Sequence, residues 1–141
     1  MIVALTALSV SAVSLASAST ISGNLTADNA FFAYISTDNS TLGTLVASGN
    51  TWPTTFTISA AALTPGVANY LQIEVINYGL RDGFMGDFTL SDAGFGFANG
   101  TQSLLTETTD WVGAYNDSNS LVVASLGCNQ PEILRALEPT A

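Results

Sequence analysis

Histidine and lysine are absent from this chain of 141 residues, and cysteine occurs once. Without histidine there is neither a Ser-His-Asp triad nor the usual zinc site. Without lysine, Schiff-base chemistry and a P-loop are excluded. A lone cysteine, Cys128, forbids an internal disulfide. It reads either as a small buried residue or as an exposed thiol able to pair between chains. The stretch "SLGC" that ends there has Ser125 where a lipoprotein box prefers Leu, and it lies far from the N-terminus, so it is not read as one. Charge is scarce too, at 9% of residues, where about a quarter is usual. Two basic residues stand against eleven acidic ones, for a net charge of −9. Such a surface repels phosphate backbones, which excludes nucleic acid as a partner, and it disfavours an anionic membrane. Cations and neutral sugars are the compatible small partners.

What the chain does have is apolar mass and neutral polar side chains. Hydrophobic residues make up 48%, enough for one domain with its own core. The polar surface must then be built from Thr, Ser, Asn and Gln, a composition common in exported β proteins and uncommon in cytosolic enzymes. The first eighteen residues, "MIVALTALSVSAVSLASA", are apolar with interspersed Ser and Thr and end in Ala16-Ser17-Ala18. A small-x-small site after an apolar run predicts a secretory signal, although no Lys or Arg precedes Arg81 to make a basic n-region. The alternative is an apolar N-terminal helix that spans or assembles; the polar residues in the run weigh against a span. Secretion or cell-surface display is the expected location.

From Thr20 onward the period is two. In "NAFFAYIS", Phe31, Ala33 and Ile35 fall on one face, with Phe32 and Tyr34 on the other. Phe56 and Ile58 alternate with threonines. Leu71, Ile73 and Val75 alternate with Gln72 and Glu74. "FMGDFTLS" and "DWVGAY" behave similarly. Alternation with Thr, Val, Ile and aromatics predicts half-buried strands. Between them lie "STDNSTLG", "SGNTWP", "LTPGVAN", "NYGLRDG", "SDAGFGFANG" and "YNDSNS". Their Gly, Asn, Asp and Pro residues are turn formers. Strands at about ten-residue spacing separated by such turns predict an all-β fold, an antiparallel β-sandwich over residues 19–125. Residues 126–141 form a tail, in which Pro131 at a first helical position and Ile133, Leu134 and Leu137 on one face fit a short helix as well as an irregular end.

The order of these elements is familiar. "TADNAFFAYIS", then "GNTWPTTFTISAAALTPGVANYLQIEVINYG", then "GFMGDFTL", then "LLTETTDWVGAY" resembles the galactose-binding-like jelly roll. Such domains accompany glycoside hydrolases and occur in exported bacterial proteins of the PEP-CTERM class. The resemblance covers about residues 20 to 116. It rests on the order of Asp28-Asn29, Trp52, Leu63 to Gly66, Asn77 and Thr108 to Trp111. It implies a jelly roll and a non-catalytic, carbohydrate-binding role. The PEP-CTERM pattern fails at the end, because Glu138-Pro139 is followed by two residues and no apolar span or basic cluster.

Three sets of residues are candidates for function. The first is a loop rim of Trp52, Tyr78 and Asp110 with Asn50 and Asn77. Aromatic faces would stack on a sugar, and the amides and carboxylate would read its hydroxyls. Trp52 precedes Pro53 in a loop, which leaves exposure and burial equally open. Trp111 is read as a core anchor that closes the sandwich, because it alternates with Gly113 and Tyr115 and a tryptophan at a sandwich edge usually caps the core. The second set is the acidic turns, at Asp28, Asp38, Asn39, Asp82, Asp87, Asp92, Asp110 and Asp117. Oxygen-rich loops have the donor chemistry of Ca²⁺, so calcium is the one compatible cofactor, although no stretch matches an EF-hand and the plain reading is a solvated acidic surface. The third is the pair Asp82 and Asp87 flanking "GFMG". Glycoside hydrolysis uses two carboxylates, but no signature supports these, and Arg81 beside Asp82 reads as a loop ion pair. Asn-x-Ser/Thr sequons at Asn24, Asn39, Asn99 and Asn116 are expected by chance in so Asn- and Thr-rich a chain. The prediction is therefore a secreted, non-enzymatic module that binds a glycan. The alternative is a structural surface or matrix protein that self-associates through exposed β edges.

Overall fold

The computed structural model describes residues 18–79, 83–107, 109–116 and 119–128, with side chains as far as Gly113. Residues 1–17, where the secretory signal was expected, the Arg81-Asp82 pair, Asp117 and the residues from 129 onward lie outside the described residues.

The described residues form β-strands and no helix. In chain order these are β1 (Thr20–Asp28), β2 (Ala30–Ser36), β3 (Thr44–Gly49), β4 (Phe56–Ala62), β5 (Asn69–Ile76), β6 (Gly83–Leu90), β7 (Phe95–Phe97), β8 (Ser103–Leu105), β9 (Val112–Asn116) and β10 (Asn119–Cys128). One antiparallel sheet has the order β4-β1-β6-β8. The other has the order β3-β2-β5-β10-β7. Strand β9 also pairs with β10, along Asn119 to Val123, while β7 takes Leu126 to Cys128. The last strand thus runs to Cys128, past residue 125 where the sequence placed the end of the domain.

Period-two alternation puts the apolar faces of both sheets on one core. From the second sheet come Phe31, Ala33 and Ile35 of β2 and Leu71, Ile73 and Val75 of β5. From the first come Ile21, Leu25 and Ala27 of β1, Ile58 of β4, Phe88 of β6 and Leu104 of β8. Two antiparallel sheets facing each other across one apolar layer make a β-sandwich. Burying each large side chain contributes about 1.5–3 kcal/mol, so Phe31 and Phe88, both essentially inaccessible, are among the main contributors.

Simple alternation is broken in several places, among them an extra residue at Val46 of β3, since Ala33 pairs with Ala47 but Tyr34 with Leu45. Strand β4 carries an extra residue opposite Ser22, because Ile21 pairs with Ala61 but Gly23 with Ile58. The bulge sits at Ala60, whose φ is 46° and whose N–H donates to Ser22 Oγ at 3.1 Å. On β5, alternation assigns Gln72 to the outer face, yet it is only 1% exposed. The loop after β2 folds over it, and Gln72 Nε2 donates to the carbonyls of Asp38 and Thr41, each at 3.2 Å. A loop crossing a sheet face is a tertiary event that strand periodicity does not record.

The turns are held by their own side chains. The fully buried Asn69 accepts from Thr64 N at 2.9 Å and donates to the carbonyls of Thr64 and Val67 at 3.0 Å. It thereby closes the "LTPGVAN" turn, in which Gly66 supplies a φ of 75°. Asp92 accepts from Gly94 N and from the hydroxyls of Ser19 and Ser91, at 2.8 to 2.9 Å. These donors, the Gly94 N–H foremost, hold its carboxyl below the ordinary value of 3.8. Asp38 is lowered in the same way, first by Ser40 N–H and then by the Ser40 and Thr41 hydroxyls. Both folded values lie below the unfolded ones, so their stabilisation is complete above the ordinary carboxylate range and is lost as pH falls through the folded values. Stability is expected to drop from about pH 4 downward. Asp92→Asn should flatten that acid limb in urea titrations at successive pH values. An unchanged slope would show that Asp92 does not carry it.

Candidate functional site

Strand register decides which loops meet. Phe31 at the start of β2 lies opposite Gly49 at the end of β3. Ala30 lies opposite Ile76 at the end of β5. The chain therefore leaves β3 and β5 at the same end of the sandwich, where the Asp28-Asn29 corner carries it from one sheet to the other. Three segments gather there: Asn50 to Thr55, Asp28-Asn29, and Asn77 to Gly79. Strands β3 and β5 flank β2, so they are two strand spacings, or roughly 10 Å, apart.

Both predicted aromatics at this end reach solvent. Trp52 is 46% exposed and Tyr78 is 74% exposed. A hydrogen-bonded chain fixes the floor between them. Tyr78 N donates to Asn29 Oδ1 at 2.6 Å, and Asn29 Nδ2 donates to Asp28 Oδ1 at 2.6 Å. Asn77 Oδ1 accepts from Gly79 N at 2.8 Å, an Asx-type turn that orders the exit from β5. Asn50 Oδ1 accepts from Thr51 Oγ1 at 3.2 Å, and Thr54 N donates to the Thr51 carbonyl at 2.9 Å. Among the described residues, Asp28 Oδ2 and the Nδ2 groups of Asn50 and Asn77 have no such partner, which leaves one acceptor and two donor groups beside two exposed rings.

Trp52, Tyr78, Asn50 and Asn77 are thus brought together, but Asp110 is not. Val112, at the start of β9, pairs with Val123, four residues along β10 from Asn119, which marks the Trp52 end. Asp110 precedes it and is displaced by roughly 13 Å or more along the strands. There its carboxylate accepts from Asn99 Nδ2 at 2.6 Å. The carboxylate at the rim belongs to Asp28. Sequence reasoning missed it because the loops that share an end with Asp28-Asn29 are set by which strands neighbour β2, and nearness of Asp110 to Trp111 in the chain carries no such information.

Trp111 does not belong to an exposed platform. It precedes β9 and is half-buried, with its ring 5.0 Å from Phe84 edge-on and 5.7 Å from Phe88. Its Nε1 donates to the Leu105 carbonyl at 2.9 Å. This is the packing of a core-edge anchor, reached from the segment ahead of a strand and not from within one.

Among the described residues, the other carboxylates of the acidic set, at Asp38, Asp87 and Asp92, are hydrogen-bonded within the fold. Asp87 faces outward from β6 and accepts from Asn24 Nδ2 at 3.3 and 3.5 Å. Asp38 is taken up by donors of its own loop, and Asp92 by Ser91 and Gly94 of its own turn together with Ser19 ahead of β1. Among the described residues, no three acidic, cysteine or histidine side chains come together to hold a metal ion. No family model matches the chain, and no curated protein or solved structure matches it either.

Proposed function

We propose that this protein is a secreted, non-catalytic module that binds carbohydrate through the Trp52–Tyr78 end of its sandwich. The observation that carries the reading is the convergence of two exposed aromatic rings with spare amide and carboxylate groups at one end. Aromatic faces give apolar contact to the C–H faces of a pyranose, and neutral amides bond its hydroxyls without the desolvation cost of buried charge. A spacing of roughly 10 Å between the two loops suits an oligosaccharide that bridges them better than a single ring. The acidic surface, net −9, favours neutral over anionic glycans. The resemblance in element order to galactose-binding-like jelly rolls supports the same class, and the apolar leader supports export.

The test is a neutral-glycan array followed by calorimetry on the glycan retained. Loss of an aromatic anchor costs about 2 kcal/mol or more in comparable interfaces. Trp52→Ala is therefore expected to weaken binding at least about tenfold with an unchanged melting temperature, because the ring is exposed. Asp28→Asn should weaken it less, and Asp110→Asn should leave it unchanged. An array that retains no glycan overturns the reading, as does parent-like affinity in both Trp52→Ala and Tyr78→Ala.

A further inference from the structure

The last residue of the apolar leader and the first residue tied into the fold are neighbours. The small-x-small site ends at Ala18, which is exposed and precedes the first strand. Among the described residues, the hydrogen bonds of the fold begin at Ser19. Its carbonyl accepts from Leu63 N at 2.9 Å, and its hydroxyl donates to Asp92 Oδ1 at 2.8 Å. Thr20 follows at once, with its N–H donating to Ser91 Oγ and its carbonyl accepting from Ser91 N, both at 2.9 Å. A small-x-small site is what a signal peptidase reads. The cut specified by the sequence therefore falls where the contacts of the fold start.

Ser19 sits in a socket with room made for it. A Cβ on Gly94 would stand 2.8 Å from Asp92 Oδ1 and 2.9 Å from Ser19 Oγ, so a glycine there leaves the space in which hydroxyl and carboxylate meet. In any serine the backbone nitrogen lies roughly 3–4 Å from its own hydroxyl oxygen. The Ser19 nitrogen is thus within one side chain's reach of the Asp92 carboxylate. While the chain continues through Ala18, that nitrogen is a neutral amide. Hydrolysis changes its charge. Water adds across the Ala18–Ser19 bond, Ala18 departs with the new carboxylate, and the Ser19 amine takes up a proton at neutral pH. Two elements lie beside Ser19: the end of β4, through Leu63, and the end of β6, through Ser91 to Gly94. Among the described residues, Asp92 is the charged group they present.

We propose that the Ala18–Ser19 bond is a processing site, and that the ammonium group created at Ser19 pairs with the Asp92 carboxylate. The proposal rests on the export reading above and is independent of glycan binding. The pair fastens the start of β1, an inner strand of the first sheet, to the turn that follows β6. The processed chain thereby gains an anchor that its precursor lacks. An amine that gains an anionic partner on folding contributes stability below its unfolded pKa and loses it as pH rises through its higher folded one. Asp92 must also be ionised, so the contribution is fullest between about pH 5 and about pH 7.

The absence of lysine makes the test selective, because the N-terminal amine is then the one primary amine in the chain. The full chain is expressed in a secreting bacterial host, and the exported product is sequenced from its N-terminus. The expected first residue is Ser19. That product is then labelled at neutral pH with an amine-reactive ester, which consumes the uncharged amine. Labelling is expected to run about two- to fivefold slower than in Asp92→Asn, the range for an exposed ion pair, and the gap should close in about 1 M salt. Asp87→Asn removes the same charge from the outer face of β6 and should label like the parent, with circular dichroism confirming that both variants fold. A chain that stays unprocessed in the cell overturns the export reading and the proposal with it. An exported chain that begins at another residue overturns the proposal alone. So do equal labelling rates in the parent and Asp92→Asn, or a gap that persists at high salt.

Discussion

Trp111→Ala is expected to lower the free energy of unfolding by about 3 kcal/mol or more. The ring packs edge-on against Phe84 and tilted against Phe88, both on β6 of the first sheet. Its own chain continues directly into β9 of the second sheet. Removing it takes away an apolar side chain and leaves a hollow on one side of Phe88, which is fully buried. Aromatic pairs of this geometry add about 0.5–1.5 kcal/mol beyond area. Trp111→Phe separates packing from hydrogen bonding. It keeps much of the ring contact but loses the Nε1–H bond to Leu105 O, so about 1 kcal/mol of the loss should persist. The two contributions can be read from urea denaturation. Coupling to Phe88 is tested by the cycle Trp111→Ala with Phe88→Leu, which should be non-additive because the rings touch. An alanine variant that unfolds at the parent's urea midpoint would mean that Trp111 anchors nothing.

The second large effect is expected at a residue with no side chain. Gly23→Ala should cost about 3 kcal/mol, toward the upper end for overpacking. Gly23 is buried on β1, between β4 and β6. A Cβ there would stand 2.5 Å from the Asp87 carbonyl oxygen and 2.5 Å from the Phe88 ring. Phe88 cannot swing away, because it is enclosed by the core, and the carbonyl belongs to the neighbouring strand. Accommodation therefore means moving backbone. Gly96→Ala on β7 is the control. Its nearest atom would be the Thr101 carbonyl oxygen at 3.9 Å, an ordinary contact, and its stability should be close to the parent's. Equal midpoints for the two variants would show that β1 and β6 can part at little cost.

The sandwich itself is legible in the sequence. Phe31, Ala33 and Ile35, then Leu71, Ile73 and Val75, alternate with more polar residues and do so in the structure, because strand side chains change face at every residue. The turns were equally legible, since Asn69 and Gly66 act within a few residues of their own positions, as Asp92 does toward Ser91 and Gly94. Trp111 was placed correctly at the core edge, although the expected strand begins one residue later, at Val112. Local chemistry decided all of these.

Long-range pairing decided the rest. Whether Trp52 was exposed depended on the end of the sandwich to which β3 delivers it. That Asp28 and not Asp110 joins Trp52 and Tyr78 follows from register across β2, β5 and β10, and the residues concerned are separated by tens of positions in the chain. Gln72 is buried because a loop from a different strand pair crosses it. Gly23 cannot be replaced because Phe88 lies across it from the neighbouring strand. Periodicity sets which face a side chain occupies, a property of one strand. Which loops share an end, and what covers an outer face, are properties of strand order, and strand order is set by how the two apolar faces close on each other.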